Sequence, residues 1–183
     1  MLVVADTAPI NYLILIQQDT LLPLLYERVV IPPAVRGELQ HPRTPTVVRV
    51  WVAHPPAWFA VRQPHQRLEA EQFPRLGAGE REAIALAHEL QAPLLLMDDP
   101  DGREEAARRA LRTTGTLGIL EQAAMRELLD LPSVLTQLLT TTTFRARAAL
   151  STATELYRAR EMTFWLPQAE AALARAGRAV ETP

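Results

Sequence analysis

Cysteine and lysine are both missing from this chain of 183 residues. Without cysteine there are no disulfides, no thiolate nucleophile, and no zinc or iron–sulfur site built on cysteine. Without lysine, Walker-A phosphate loops, Schiff-base enzymes and the receiver domains of phosphorelays are excluded, because each needs a lysine side chain. All 19 basic residues are arginines, and the formal net charge of −2 gives no general signature of nucleic-acid binding.

Long apolar segments are also missing. The longest apolar runs are LILI, LLPLL and LLLM, far short of the roughly 20 residues that a membrane-spanning helix needs. The N-terminus has no basic-then-apolar segment of the kind that directs secretion. We therefore expect a cytoplasmic protein that does not enter the membrane. The histidines lack metal-ligand spacing such as HExxH and are expected at the surface; they are His41, His54, His65 and His88.

Short apolar segments alternate with helical patterns along the first 131 residues. LVVA at 2–5, RVVI at 28–31 and PLLLM at 93–97 are apolar without alternation, as buried parallel strands are. Weaker strands are indicated at 57–61 and near Thr113. Helices are predicted around 7–18, 20–27, 33–40, 46–53, 77–90, 102–112 and 116–129. This order predicts an α/β fold with a central parallel sheet of four to five strands.

The remainder of the chain is predicted to be helical. Beyond Pro132, helical patterns cover residues 133–142, 145–161 and 164–177, and only Pro167 interrupts them. We therefore expect one α/β domain over residues 1–131. Residues 132–183 are expected to form a helical extension that packs on this domain or on a partner.

Carboxylates end two of the predicted strands. Asp6 follows the first strand, and Asp98 and Asp99 follow PLLLM. Because the carboxyl ends of parallel strands lie along one edge of a sheet, where ligands bind, Asp6 and Asp98 should share that edge. Glu38 lies in the helix after the second strand, and Glu80 lies in the first turn of the helix before PLLLM. The helix polarity is expected to place Glu80 nearer the opposite edge.

These acids, if they meet, form a hard pocket made only of oxygen ligands. Such a pocket suits Mg²⁺ or Mn²⁺ better than zinc or copper. Two such ions about 3.5 to 4 Å apart can activate a water on one side of a phosphodiester and stabilise the leaving oxygen on the other. Because this hydrolysis needs no nucleophilic side chain, the sequence is consistent with a metal-dependent nuclease.

Each acid also has an ordinary structural explanation. Asp6 alone is typical of a turn or a helix cap, Glu38 of a solvated helix face, and Glu80 of a first-turn acid that complements the helix dipole. The Asp98–Asp99 pair is harder to explain in this way, because residues 100–102 already account for the turn. Other polar residues are expected at caps, core edges or solvated helix faces, namely Thr7, Asn11, Glu82, Glu104 and Glu105.

Four segments in their order along the chain carry a family resemblance: VVADTAP, VVIPPAVRGEL, GAGEREAIALAHELQAPLLLMDD and GTLGIL. Over residues 1–131 the chain resembles the PIN-domain family, and most of all its bacterial branch of VapC-type toxins. The resemblance implies a three-layer α/β/α fold in which four acids gather at one Mg²⁺ or Mn²⁺ site. By position these catalytic and metal-binding acids are Asp6, Glu38, Glu80 and Asp98, with Asp99 as an additional catalytic acid. The family spacing selects Glu80 rather than Glu82.

The function implied by this resemblance is endonucleolytic cleavage of single-stranded RNA. The implied protein is a homodimer that is inhibited by a small antitoxin. Two features depart from the family pattern: Ala8 replaces a small hydroxyl residue, and the tail beyond Pro132 exceeds the minimal fold. Candidate contacts to the RNA backbone are Arg36, Arg81 and Arg103.

Two other functions are compatible with the sequence. One is a non-catalytic PIN-like module that binds RNA or a protein through its helical tail. The other is a metal-dependent phosphatase on a different α/β fold, which is disfavoured because the first strand lacks an Asp-x-Asp pair. Release of phosphate from a small ester would distinguish the phosphatase from a nuclease.

Overall fold

A computed structural model describes residues 1–66 and 68–141 of the chain. Within these residues, five strands alternate with eight helices. The strands are β1 (Leu2–Ala5), β2 (Arg28–Ile31), β3 (Phe59–Val61), β4 (Leu95–Leu96) and β5 (Thr113–Thr114). The helices are α1 (Thr7–Leu15), α2 (Leu21–Leu25), α3 (Pro33–Leu39), α4 (Thr46–Ala53), α5 (Ala78–Glu89), α6 (Pro100–Arg108), α7 (Thr116–Met125) and α8 (Leu131–Thr141).

The five strands form one parallel sheet in the order β3-β2-β1-β4-β5. The central strand β1 pairs Val3 with Val29 on one side and Val4 with Leu95 on the other. Three of its four residues, Val3, Val4 and Ala5, are buried, as expected for a parallel strand that is covered by helices on both faces. The predicted PIN-like α/β architecture, with a central parallel sheet flanked by helices, is therefore confirmed.

The chain reverses its direction across the sheet next to β1. It passes from β1 to β2 and β3 on one side, and then returns to β4 and β5 on the other side. Such a reversal leaves a crevice at the carboxyl ends of the two strands that flank it, here β1 and β4. The Asp6 amide donates a hydrogen bond of 2.9 Å to the carbonyl oxygen of Leu96 at this point. Asp6 and Asp98 therefore leave the sheet side by side.

The connecting helices also bring their first turns to this edge. In a parallel sheet with helical connections, each helix runs back against the strand direction, so its N-terminus lies beside the strand ends. Helix α5 begins at Ala78 and leads into β4, which places Glu80 at the same edge as Asp6. The expectation that helix polarity would move Glu80 towards the opposite edge is therefore wrong. Helices α3 and α5 pack against each other and bring Glu38 to the same place.

Backbone contacts divide the chain into two compact units, Met1–Ile119 and Leu120–Pro183. The first unit contains the whole sheet and every candidate acid. Within the second unit, α8 buries an aliphatic face formed by Leu131, Val134, Leu135 and Leu138. The helices predicted at 145–161 and 164–177 lie outside the described residues.

The predictions about exposure and membrane segments can be compared with the described residues. All four histidines are exposed, as expected from their spacing. Across residues 1–66 and 68–141, every helix is too short or too polar to cross a membrane.

Candidate active site

The Asp6 side chain is held in the protein interior at the end of β1. Asp6 occupies the N-cap position of α1, but its side chain makes no capping hydrogen bond to that helix. Only 4% of the residue is exposed, and its Oδ1 atom is buried with no hydrogen-bond partner. Asp6 therefore holds the position of a helix cap without capping α1 through its side chain. A buried carboxylate oxygen without a donor is costly, unless a ligand satisfies it.

Burial and nearby acids favour the protonated form of Asp6. Desolvation raises the pKa of the Asp6 carboxyl from its ordinary 3.8 to about 7, against a smaller lowering by the Thr7 backbone amide. The charges of Glu80, Glu38 and Asp98 raise that pKa further. Glu80, Glu38 and Asp98 therefore all act electrostatically on the Asp6 carboxyl. A divalent cation placed there would stabilise the charged form of each carboxylate.

Glu38 is oriented by groups from two other helices. Its Oε2 atom accepts a hydrogen bond from the Thr7 hydroxyl at the start of α1. Its Oε1 atom accepts one of 2.9 Å from the Gly79 amide in the first turn of α5. Thr7 therefore positions a candidate metal ligand, a role that its expected place at a cap did not anticipate. Glu38 is likewise not a solvated helix residue.

Glu80 and Glu82 have different partners although they lie two residues apart. Glu80 Oε2 accepts a hydrogen bond of 2.7 Å from the Gly77 amide at the N-cap of α5, and the charge of Glu80 raises the pKa of Asp6. Partial burial raises the pKa of Glu80, and the charges of Asp99 and Glu38 add to this effect. Glu82 instead accepts a hydrogen bond of 2.9 Å from the Ala34 amide at the start of α3.

The Asp98 carboxylate is fixed by a single residue, Thr116. The Thr116 amide donates a hydrogen bond of 2.7 Å to Asp98 Oδ1, and its hydroxyl donates one of 2.5 Å to Oδ2. Burial raises the pKa of Asp98, while these two hydrogen bonds and the charge of Arg103 lower it. Thr116 belongs to the segment GTLGIL, but nothing in that segment predicts its hydrogen bonds to Asp98.

Asp99 caps the next helix. It occupies the N-cap position of α6, and its Oδ1 atom accepts a hydrogen bond of 2.9 Å from the Gly102 amide. This satisfies one of the free amides in the first helical turn. The charge of Asp99 also acts on Glu80, so the residue borders the group of acids. Because Oδ1 is used by the cap, Oδ2 is the oxygen through which Asp99 would act in catalysis.

Two expectations for neighbouring residues are wrong. Glu82 does not lie on a solvated helix face, because it is bonded to the start of α3. Glu105 is buried and paired with arginines, its Oε1 atom lying 2.8 Å from Arg109 Nε. Glu104 is exposed, as expected. Among the candidate RNA-binding arginines, Arg36 is exposed, and Arg81 donates to the carbonyl oxygen of Leu76.

The acids suit a hard divalent cation but are not yet arranged as a ligand cage. In the described part of the chain, no group of three or more aspartate, glutamate or histidine side chains has the spacing of a formed metal site. Hydrogen bonds from Thr7, Gly79, Gly77 and Thr116 orient the carboxylates of Glu38, Glu80 and Asp98. Each carboxylate keeps further lone pairs, and Asp6 Oδ1 has no donor at all. In its chemistry, this set of oxygen donors therefore fits Mg²⁺ or Mn²⁺.

The chain was compared with protein families, solved structures and curated proteins. A family model described as "PIN domain" matches residues 2–158. Among solved structures, the chain is similar to a PilT N-terminus domain protein from the hyperthermophilic archaeon Sulfolobus solfataricus P2. The two share 17% sequence identity with a TM-score of 0.49, over 67% of this chain and 93% of the other. Comparison with curated proteins gives no match.

Proposed function

Because the chain belongs to the PIN-domain family, whose members are generally nucleases that use divalent metals, we propose that it is a Mg²⁺- or Mn²⁺-dependent endoribonuclease. Its substrate is single-stranded RNA, and it hydrolyses phosphodiester bonds. The supporting observation is the buried and unpartnered Oδ1 atom of Asp6 at the carboxyl edge of the sheet, where the charges of Glu80, Glu38 and Asp98 all act on the same carboxyl. Asp6, Glu38, Glu80 and Asp98 are the proposed metal ligands.

The residues around these acids keep the carboxylates in position. Thr116 holds Asp98 at the end of β4, while Thr7 and the Gly79 amide hold Glu38 across the gap between α1 and α5. Asp99 caps the first turn of α6 and adds negative charge that acts on Glu80. When bound, a divalent ion supplies Lewis-acid polarisation of the phosphodiester and activation of the attacking water.

The biological setting forms part of the same proposal. We propose that residues 1–131 are the nuclease domain of a type II toxin, that the protein acts as a cytoplasmic homodimer, and that a small antitoxin inhibits it. Residues 132–183 would pack on this domain or on a partner. Co-expression with the gene next to its own, followed by purification of a complex, tests the antitoxin part independently of catalysis.

Removal of the metal-binding charges tests the nuclease. Asp6→Asn and Asp98→Asn are expected to abolish Mg²⁺- or Mn²⁺-dependent cleavage of a labelled single-stranded RNA while the circular dichroism spectrum is kept. Glu71→Gln serves as a control, because Glu71 is an exposed acid outside the site. Full cleavage by either aspartate variant would refute the assignment. Binding of RNA by the wild-type chain, with no cleavage in either ion, would support the non-catalytic module instead.

A further inference from the structure

A cleft of about 310 Å³ lies between the segment 72–76 and helix α6. One wall includes Phe73, Arg75 and Leu76, and the other includes Asp101, Glu104 and Arg108. This volume is at the lower end of the range for small-molecule pockets, so it suits a single compact group. None of the candidate metal ligands lines the cleft.

Both walls of the cleft continue into the candidate active site. The segment 72–76 leads through Gly77 into the first turn of α5, which carries Glu80, and the Arg81 side chain ties this turn back to the Leu76 carbonyl oxygen. The opposite wall begins two residues after Asp99, whose charge acts on Glu80. The two walls of the cleft are therefore joined along the chain to the segments that carry Glu80 and Asp99.

Phe73 gives the cleft an aromatic wall. The ring is partly exposed, and the guanidinium carbon of Arg109 lies 5.4 Å from its centroid. The Arg109 guanidinium lies over one face of the ring, and Phe73 is itself a lining residue of the cleft. Glu105 in turn holds Arg109 through an ion pair of 2.8 Å. An aromatic ring braced in this way is suited to stacking against a flat, sequence-variable partner such as a nucleobase.

The charged residues that line the cleft are two arginines and three acids, and Arg108 is paired with two of these acids, Glu104 and Glu105. Arg75 forms an ion pair of 3.8 Å with Asp101, but its side chain is 79% exposed, so the pair is weak in water and a phosphate can compete for the guanidinium. Asp101 is partly buried and keeps lone pairs that can accept hydrogen bonds from an amino group. Adenine and cytosine carry such an exocyclic amino group, whereas uracil does not.

We infer that this cleft is a nucleotide subsite of the proposed ribonuclease, in which Phe73 stacks on an unpaired base next to the cleaved phosphodiester and Asp101 favours bases with an amino group. The inference rests on the proposed function for its substrate class. It assigns recognition to residues that lie outside the group of acids, so it can be tested separately from catalysis.

The test compares two substitutions at Phe73 in the full chain. Phe73→Leu keeps an apolar side chain but loses the ring, and Phe73→Trp keeps a stacking surface. In EDTA, binding of a short oligoadenylate should weaken roughly 5- to 100-fold in Phe73→Leu and stay near the wild-type value in Phe73→Trp. With Mn²⁺ present, KM should rise in Phe73→Leu while kcat changes little. Unchanged melting temperatures confirm that both variants fold.

The outcomes separate the subsite from the nuclease. Wild-type oligoadenylate affinity in Phe73→Leu would overturn the subsite, even if the protein cleaves RNA. Binding that depends on Phe73, together with no cleavage by the wild-type chain, would support the subsite and overturn the proposed nuclease. No binding of RNA by the wild-type chain would overturn both.

Base preference provides a second measurement. Oligoadenylate and oligocytidylate should bind several-fold more tightly than oligouridylate, and Asp101→Ala should remove this difference. Equal affinity of the wild-type chain for all three oligomers would overturn the role of Asp101.

Discussion

The burial of Asp6 links the candidate site to the stability of the fold. The pKa of this carboxyl is raised to about 7 in the folded protein, from an ordinary value of 3.8. The folded chain therefore keeps a proton between about pH 4 and pH 7 that the unfolded chain releases. The contribution of Asp6 to the free energy of unfolding is complete below this window and is lost as pH rises through it, by at most ~1.4 kcal/mol per pH unit.

Asp6→Asn should therefore change how stability depends on pH. Without divalent ions, the wild-type free energy of unfolding should decrease between pH 5 and pH 8 relative to that of the variant, because asparagine does not titrate. Urea denaturation at a series of pH values measures this difference. Identical pH profiles for the two proteins would contradict the buried, unpartnered state of Asp6.

A second prediction at the scale of single residues concerns Thr116. Thr116→Val keeps the shape of the side chain but removes the hydroxyl that donates to Asp98 Oδ2. The free energy of unfolding should fall by about 1 to 3 kcal/mol, because a partly buried carboxylate oxygen loses its donor, and cleavage should also slow. Thr116→Ser keeps the donor and should remain close to the wild type. Denaturant unfolding and a cleavage assay check both variants, and a fully stable and active Thr116→Val protein would rule out this role.

Several of these residues could not be assigned from the sequence, because their partners are distant along the chain. Thr116 is 18 residues from Asp98, and Glu82 is 48 residues from Ala34. Local patterns identify an acid in a first helical turn, but they do not say which backbone amide another helix will bring to it. Asp6 and Asp98 were predictable, because parallel strands place their carboxyl ends on one edge whatever the details of packing.

Helix α5 approaches the Glu38 side chain closely at Gly79. A Cβ atom added there would lie 2.6 Å from Glu38 Oε2 and 2.7 Å from Glu38 Oε1, so the carboxylate would have to move. A Cβ atom added at Gly37 in α3 would have no neighbouring heavy atom within 4 Å. The two glycines therefore form a matched pair for testing the orientation of Glu38.

Gly79→Ala should reduce the cleavage rate roughly 10- to 100-fold, because it displaces a proposed metal ligand. Gly37→Ala should keep cleavage unchanged and should leave stability equal or up to about 1 kcal/mol higher, since alanine favours the helix. Steady-state cleavage and thermal unfolding of both variants provide the measurement. Equal activity of the two would show that the position of Glu38 does not affect the reaction.

At the scale of elements, the sequence predicted strands and helices where one apolar pattern determines the structure. β1 and β2 match the runs LVVA and RVVI, and α4 matches the predicted helix at 46–53. PLLLM was also expected to be a strand, but only Leu95 and Leu96 pair in it. The length of a pairing segment depends on its neighbour, and β5 offers only two residues. The edge of the sheet at which Glu80 lies was predicted wrongly. A helix that leads into a parallel strand has its N-terminus at the carboxyl ends of the strands, so the first turn of α5 lies at that edge.

For the whole molecule, ion binding should stabilise the fold. A ligand that binds only the folded state raises the free energy of unfolding by about 2.7 kcal/mol at a concentration 100 times its Kd. Mn²⁺ or Mg²⁺ should therefore raise the melting temperature, and more at pH 8 than at pH 5, because protons compete for the same carboxylates. Asp6→Asn should show a much smaller shift. Equal shifts in melting temperature for the two proteins would show that the ion binds at another part of the chain.

The sheet ends on both sides in very short strands, three residues in β3 and two in β5. An outer strand exposes unpaired amide and carbonyl groups, and these can recruit a foreign extended segment into a growing sheet. Here such a segment would find too few positions for a stable ladder on either border. The short border strands therefore make the sheet resistant to edge-to-edge aggregation. This property suits a protein that is kept at high concentration for crystallisation or spectroscopy.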